Sequence, residues 1–178
     1  TYSNIPLYYY NSGVARDLTS TNNGSVTLYA DWGQPTITLP TPTRTGYTFA
    51  GWYSDSGLTS KIGNGGSTYR PAKDITLYAK WTANTYTVKY DGNGATVGST
   101  ESSSHTYNVA KALTANEFVK IGYTFNGWNT KADGTGTSYA NSASVTNLAS
   151  TNGATVTLYA QWKINQYNID LNYNVDGT

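Results

Sequence analysis

A chain of 178 residues suffices for one ordinary domain or for two to three very small ones. Charged side chains make up 12% of it, and 11 basic against 10 acidic residues leave a net charge of +1, with no basic surplus to neutralise phosphates. That excludes nucleic acid and anionic membranes as main partners, and the absence of cysteine excludes disulfides, thiolate metal sites and thiol nucleophiles.

Leu, Ile, Val and Phe are scarce, but 17 Tyr and 5 Trp supply apolar area and the net charge is near zero. Such a chain folds, with small cores built on aromatic rings. A sequence without Cys or Met and rich in Thr, Asn and Gly reads as a surface or extracellular bacterial protein. No apolar run is long enough to span a membrane. No signal peptide is visible, and Thr1 in place of Met is what an excised fragment shows.

In chain order, the first distinctive feature is the non-repeated cluster Tyr8, Tyr9 and Tyr10, the candidate surface for a glycan or another partner. Repeats follow. VTLYADW (26–32), ITLYAKW (75–81) and VTLYAQW (156–162) are three copies of one heptapeptide. GYTFAGW (46–52) and GYTFNGW (122–128) are two copies of another, each preceding a closing heptapeptide. TYTVKYDGNG (85–94) and QYNIDLNYNVDG (166–177) open on a tyrosine soon after a closing tryptophan. The chain thus divides into the end of one repeat (1–32), a compact repeat (33–81), a full repeat (82–162) and the opening strand of a further one (163–178). The joints are short and lack a Gly/Ser tract, so consecutive units are expected in a fixed relation.

Periodicity within the motifs is two, which means strands. Ile75, Leu77, Ala79 and Trp81 fall on one face, with Val156, Leu158, Ala160 and Trp162 equivalent; these faces are predicted buried. Asp31, Lys80 and Gln161 share a position whose varying charge predicts exposure. The outward Tyr29, Tyr78 and Tyr159 suit cross-strand packing or module joints. Tyr86, Val88 and Tyr90 alternate with Thr87 and Lys89, and DGNG (91–94) accepts the positive φ of a hairpin turn. In GYTFxGW the first Gly releases the chain from a turn and the second allows close approach or a bulge. Pro40 and Pro42 make 39–43 an extended edge segment. Residues 108–118 and 141–148 have room for a turn or two of helix.

These three ordered motifs resemble the Listeria–Bacteroides repeat, the family of the internalin B-repeat, over nearly the whole chain. The resemblance implies tandem small β-grasp-like modules, mostly β, each a curled sheet around a short helix. It implies a bacterial surface or extracellular setting, a stalk or adhesion role without enzymatic activity, and no catalytic residues or cofactor. The 33–81 unit lacks the opening YTVxYDGNG strand, and 1–32 lacks GYTFxGW.

The residues themselves offer little chemistry. His105, the one histidine, stands beside Ser102, Ser103 and Ser104 but has no carboxylate in sequence to orient it, and reads as an exposed loop residue. Glu101 and Glu117 are in no context for a two-carboxylate glycosidase. DGNGAT has one carboxylate where a calcium loop needs several. An isopeptide bond is not suggested by Lys80 and Lys89, which fall on polar faces.

The orphan strand is the oddest feature: Tyr167, Ile169, Leu171 and Tyr173 alternate with polar residues and would present an apolar edge. Two explanations remain, a window cut from a longer array or head-to-tail strand donation between chains. Expected partners are neighbouring repeats or other copies of the chain, with host or cell-wall glycans as the alternative for a carbohydrate-binding module.

Overall fold

The computed structural model describes residues 36–171, and all regular structure there is β. Strands β1 (Ile37–Thr38), β2 (Tyr47–Tyr53), β3 (Lys61–Gly63), β4 (Thr68–Tyr69) and β5 (Tyr78–Ala83) precede Asn84. After it come β6 (Thr85–Asp91), β7 (Ser103–Thr106), β8 (Lys111–Ala112), β9 (Tyr123–Asn129), β10 (Ser138–Tyr139), β11 (Ser144–Val145) and β12 (Thr155–Ile164).

Both groups follow one plan. In the first, β2 lies between β3 and β5, and β1 pairs with β4. In the second, β9 lies between β10 and β12, and β8 pairs with β11. The second group extends its sheet to the order β10-β9-β12-β6-β7, with β6 parallel to β12 and every other pair antiparallel. The described part of the first group has no counterpart of β6 and β7.

That difference decides where the core is. Tyr86, Val88 and Tyr90 point inward from β6 as predicted, while Lys89 is exposed. They join Leu158 and Ala160 of β12, Leu113, Val145 and Trp128 in one cluster. Trp128 is 0% exposed, with the rings of Tyr90, Phe125 and Phe118 at 4.8, 4.9 and 6.3 Å. Its indole N–H has no hydrogen-bond partner among the described residues, so packing alone fixes the ring. Trp162 is half-buried and donates its indole N–H to Gly92 O at 2.9 Å. Gly127 lets β9 approach β10: at φ 106° a Cβ there would lie 2.8 Å from Tyr139 O. The register between β12 and β9 shifts opposite it, between Ala160 and Trp162, so the expected bulge is present.

The compact unit departs from expectation. Ile75, predicted buried, is 39% exposed, and Leu77, Ala79 and Trp81 are only half-buried. Among the described residues no strand stands where β6 lies beside β12, so residues 74–77 have no partner there and β5 begins only at Tyr78. Lys80, predicted exposed, is half-buried, with its ammonium 4.9 Å over the Tyr53 ring and donating to Leu58 O at 3.4 Å. Gln161 is half-buried too, reaching Tyr159 O and Lys131 O. Asp31, Tyr29 and the first heptapeptide lie outside the described residues.

Residues 108–118 and 141–148 hold β8 and β11 instead of helical turns, because Asn108, Ser142 and Asn147 take positive φ, which no helix accommodates. The short helix implied by a β-grasp-like module is likewise not found among the described residues. DGNG does turn, with Asn93 and Gly94 at positive φ, but it closes no tight hairpin. Asn93 donates its side-chain amide to Ala132 O and Ala160 O, tying the turn across the sheet end, and β7 starts only after a long loop.

Truncating Trp128 to Ala is expected to cost the 82–162 unit about 3–5 kcal/mol, since a fully enclosed ring leaves a cavity. Trp52→Ala, at a half-buried ring, is expected to cost less. Urea unfolding of the two variants side by side measures both.

Candidate functional site

The two sheets meet at Asn84, the one residue between β5 and β6. Its four polar functions are all engaged. The amide N–H donates to Gly46 O at 2.9 Å, and the backbone carbonyl accepts from Tyr107 N–H at 2.8 Å. The side-chain carbonyl accepts from Thr48 Oγ1 at 2.6 Å, and the side-chain amide donates to Ser150 O at 2.7 Å. Two partners belong to β2 and its turn and two to the following unit, so one buried residue, through its backbone and its side chain, bolts both units together.

Gly46 sits beside it at φ 77°, and the Tyr107 ring lies in the space where a side chain would stand. Tyr47 meets Tyr107 edge-on at 5.8 Å, and its hydroxyl accepts from Asn108 Nδ2 at 3.0 Å. Asn108 and Asn147 are paired through their amides. The Arg44 guanidinium covers the Tyr47 ring, 3.9 Å from its centre.

A cleft of about 810 Å³ opens along this joint, between Thr41, Arg44, Phe49, Asn64, Trp81 and Asn152. Its walls are hydroxyls, amides and aromatic edges, with Arg44 the one charge among the described residues. Such a lining suits a neutral polar ligand and holds no acid–base pair.

His105 is not the exposed loop residue the sequence suggests. It is in β7, 1% exposed, and its ring is stacked on Tyr86 at 5.5 Å. Nε2 lies 2.9 Å from Ser103 Oγ, which lies 3.1 Å from Tyr90 OH, and that hydroxyl accepts from Thr114 N–H. Strand alternation brings Ser103 and His105 to the same face, which the divergent-neighbour argument overlooked. Nδ1 has no partner among the described residues, and no substrate can reach the ring. This serine–histidine pair is therefore part of the core. Burial, with the Lys111 ammonium adding to it, holds His105 below its ordinary pKa of 6.5.

The remaining candidates are dispersed. Glu101 and Glu117 are exposed. Asp55 and Asp133 cap their own turns, and the backbone N–H groups of Ser60 and Thr59, and of Thr135, hold their carboxyls below the usual range. No group of three or more His, Asp or Glu that could hold a metal ion occurs among the described residues, nor does a helix long and apolar enough to cross a membrane. Tyr8, Tyr9, Tyr10 and Tyr173 lie outside the described residues. Tyr167, Ile169 and Leu171 are 76, 84 and 72% exposed and belong to no strand. Sequence reasoning missed Asn84. The available signal was an Asn at the same place after two of the closing tryptophans, Asn84 and Asn165.

Two outcomes follow. Gly46→Val, which forces a branched side chain into the Tyr107 ring and into positive φ, is expected to lower the melting temperature and to free the two units from one another, seen as faster and unequal tumbling by NMR relaxation. Stability is also expected to fall with acid through His105. The unfolded histidine binds its proton below pH about 6.5 whereas the folded one binds it only at lower pH, so its contribution is complete above that value and is lost on descending through it. Urea midpoints between pH of about 7.5 and 5.5 should show that slope, and His105→Gln should flatten it.

Comparison with known proteins agrees with the motif pattern. The chain is 36% identical over 167 residues to a protein of Evansella cellulosilytica described as a Gly-rich membrane protein, covering 86% of this chain and 17% of that one. It is 35% identical over 128 residues to Internalin H of Listeria monocytogenes, covering 70% of this chain and 20% of that protein. The chain thus spans about a fifth of the length of these relatives. No solved structure matches it. Residues 20–80 and 86–161 each match the Listeria-Bacteroides repeat domain, and with two successive repeats accounting for most of its length the chain belongs to the Listeria–Bacteroides repeat family.

Proposed function

We propose that the chain is a non-enzymatic structural and adhesive tandem-repeat module of a bacterial cell-surface or extracellular protein, whose task is to hold what it connects at a fixed distance and angle. The observation that carries this is the joint at Asn84. A spacer of beads on a string needs no such bolt, whereas a stiff stalk needs one at every junction. The printed names of the relatives, an internalin and a membrane protein, support a surface or membrane-associated setting. In this reading 33–81 and 82–162 are the working modules, 1–32 completes a preceding repeat and 163–178 opens a further one. The partners are neighbouring repeats; nucleic acid and membrane insertion have no part.

A head-to-tail filament is the second reading, and one observation favours it. Tyr167, Ile169 and Leu171 occupy the places that Tyr86, Val88 and Tyr90 hold after the previous closing tryptophan. The latter are buried and the former exposed. Glycan binding in the joint cleft is the third, favoured by its hydroxyl, amide and aromatic lining with a single charge, Arg44.

Small-angle scattering of the purified chain separates the three. A rigid, elongated monomer is expected, and Gly46→Val should make it flexible. A compact particle, or an unchanged profile in the variant, would sink the stalk reading. Mass growing with concentration, and abolished by deleting residues 163–178, would favour the filament. Quenching of tryptophan fluorescence by a neutral oligosaccharide would favour the glycan site.

A further inference from the structure

The occupied joint has a second copy. Gly122 is at φ 80°, as Gly46 is at 77°. Asn165 N–H donates to Gly122 O at 2.9 Å, the distance from Asn84 N–H to Gly46 O. Thr124 Oγ1 donates to Asn165 Oδ1 at 2.7 Å, matching Thr48 to Asn84 at 2.6 Å. Lys120 covers the Tyr123 ring at 4.7 Å, as Arg44 covers Tyr47 at 3.9 Å. A cleft of about 460 Å³ opens against Thr124 and Asn165, the equivalents of Thr48 and Asn84 in the joint cleft, and is otherwise lined by residues 163–167.

Two things differ, and both concern what would be the next unit. The space that the Tyr107 ring fills over Gly46 is open over Gly122 among the described residues: a Cβ there would meet nothing within 4 Å. The Asn84 side-chain amide is spent on Ser150 O of the following unit, whereas that of Asn165 turns to Tyr167 OH of its own segment, at 3.2 Å.

We infer that Gly122, Tyr123, Thr124 and Asn165 form a docking seat for the repeat that follows in tandem, which places on Gly122 a tyrosine ring equivalent to Tyr107 and offers Asn165 Nδ2 a carbonyl equivalent to that of Ser150. The hydrogen bonds on the seat side exist before the occupant arrives, so docking orders little chain and the ring adds contact at low entropic cost. Gly122 is glycine for two reasons: the positive φ of its turn, and a close approach that only the next unit makes. The occupant is a whole folded repeat, since the tyrosine that fills the first joint follows β7 and is placed by the sheet of its own unit.

The inference rests on the tandem-module reading but fails separately from it. The test uses the complete chain, and the chain extended after Asn165 by a second copy of residues 85–162. In the complete chain the Gly46 α-protons are expected to be shifted upfield by the Tyr107 ring and those of Gly122 to resonate at ordinary positions. In the extended chain the Gly122 α-protons are expected to move upfield to match Gly46, and Tyr107→Ala in the added copy alone should return them. Gly122→Ala should lower the melting temperature more in the extended chain than in the complete one. Unmoved Gly122 protons overturn the inference whether or not the added copy folds, and a shift that survives Tyr107→Ala overturns the named occupant. If the first joint stays rigid in those cases, the stalk reading stands without the seat.

Discussion

A chain with few aliphatic side chains has to exclude water from its interior with rings, and the indole of Trp128 is where this is done. Three aromatic neighbours enclose it, and β12 supplies Leu158 and Ala160 to the same cluster. Ala160 is the cross-strand partner of Trp128, where a small residue leaves room for the indole, and the register shift on β12 beside it lies opposite Gly127, whose closeness to Tyr139 O needs a glycine. The described residues of the first group hold no fully buried tryptophan. Trp52 is half-buried and donates to Pro40 O, so its indole is hydrogen-bonded where that of Trp128 is packed.

Much of this was legible in the sequence because alternation and repetition report directly on faces and units. The inward set Tyr86, Val88 and Tyr90, the inward Leu158 and Ala160, the bulge glycine and the mostly-β character could be read from period two and from two copies of one motif, while the short helical turns also expected are not found among the described residues. The failures have separate physical causes. Ile75 carries the same pattern as Val156, yet burial requires a neighbouring strand, which Val156 has in β6 and Ile75 lacks among the described residues. Lys80 is half-buried because its long stem can lie along Tyr53 with its head near a carbonyl, an option that a rule of charged-means-outside leaves out. His105 was misread because its polar neighbours suggested a loop, while its own position in β7 put it on the inward face with Ser103.

The joint was the least legible part. Its bonds are made by single Asn, Thr and Gly residues whose types are everywhere in this chain, and composition hides them. Only the coincidence of Asn84 and Asn165 after equivalent tryptophans carries information, and it becomes meaningful once Gly46 is seen on the backbone and Thr48 on the side chain of the same residue.

The parallel pair β6–β12 has a mechanical consequence. The chain enters the 82–162 unit along β6 and leaves it along β12, and these strands are adjacent, register-matched from Thr87 opposite Thr155 to Asp91 opposite Tyr159. Tension applied to the two ends therefore pulls the start of one strand against the finish of its neighbour. The ladder between them is sheared along its length, its hydrogen bonds sharing the load instead of parting one at a time as in a peeled hairpin. With Asn84 passing β5 directly into β6, force arriving from the preceding unit is delivered straight onto that ladder. A repeat wired in this order resists stretching through the same strand pairing that closes its core.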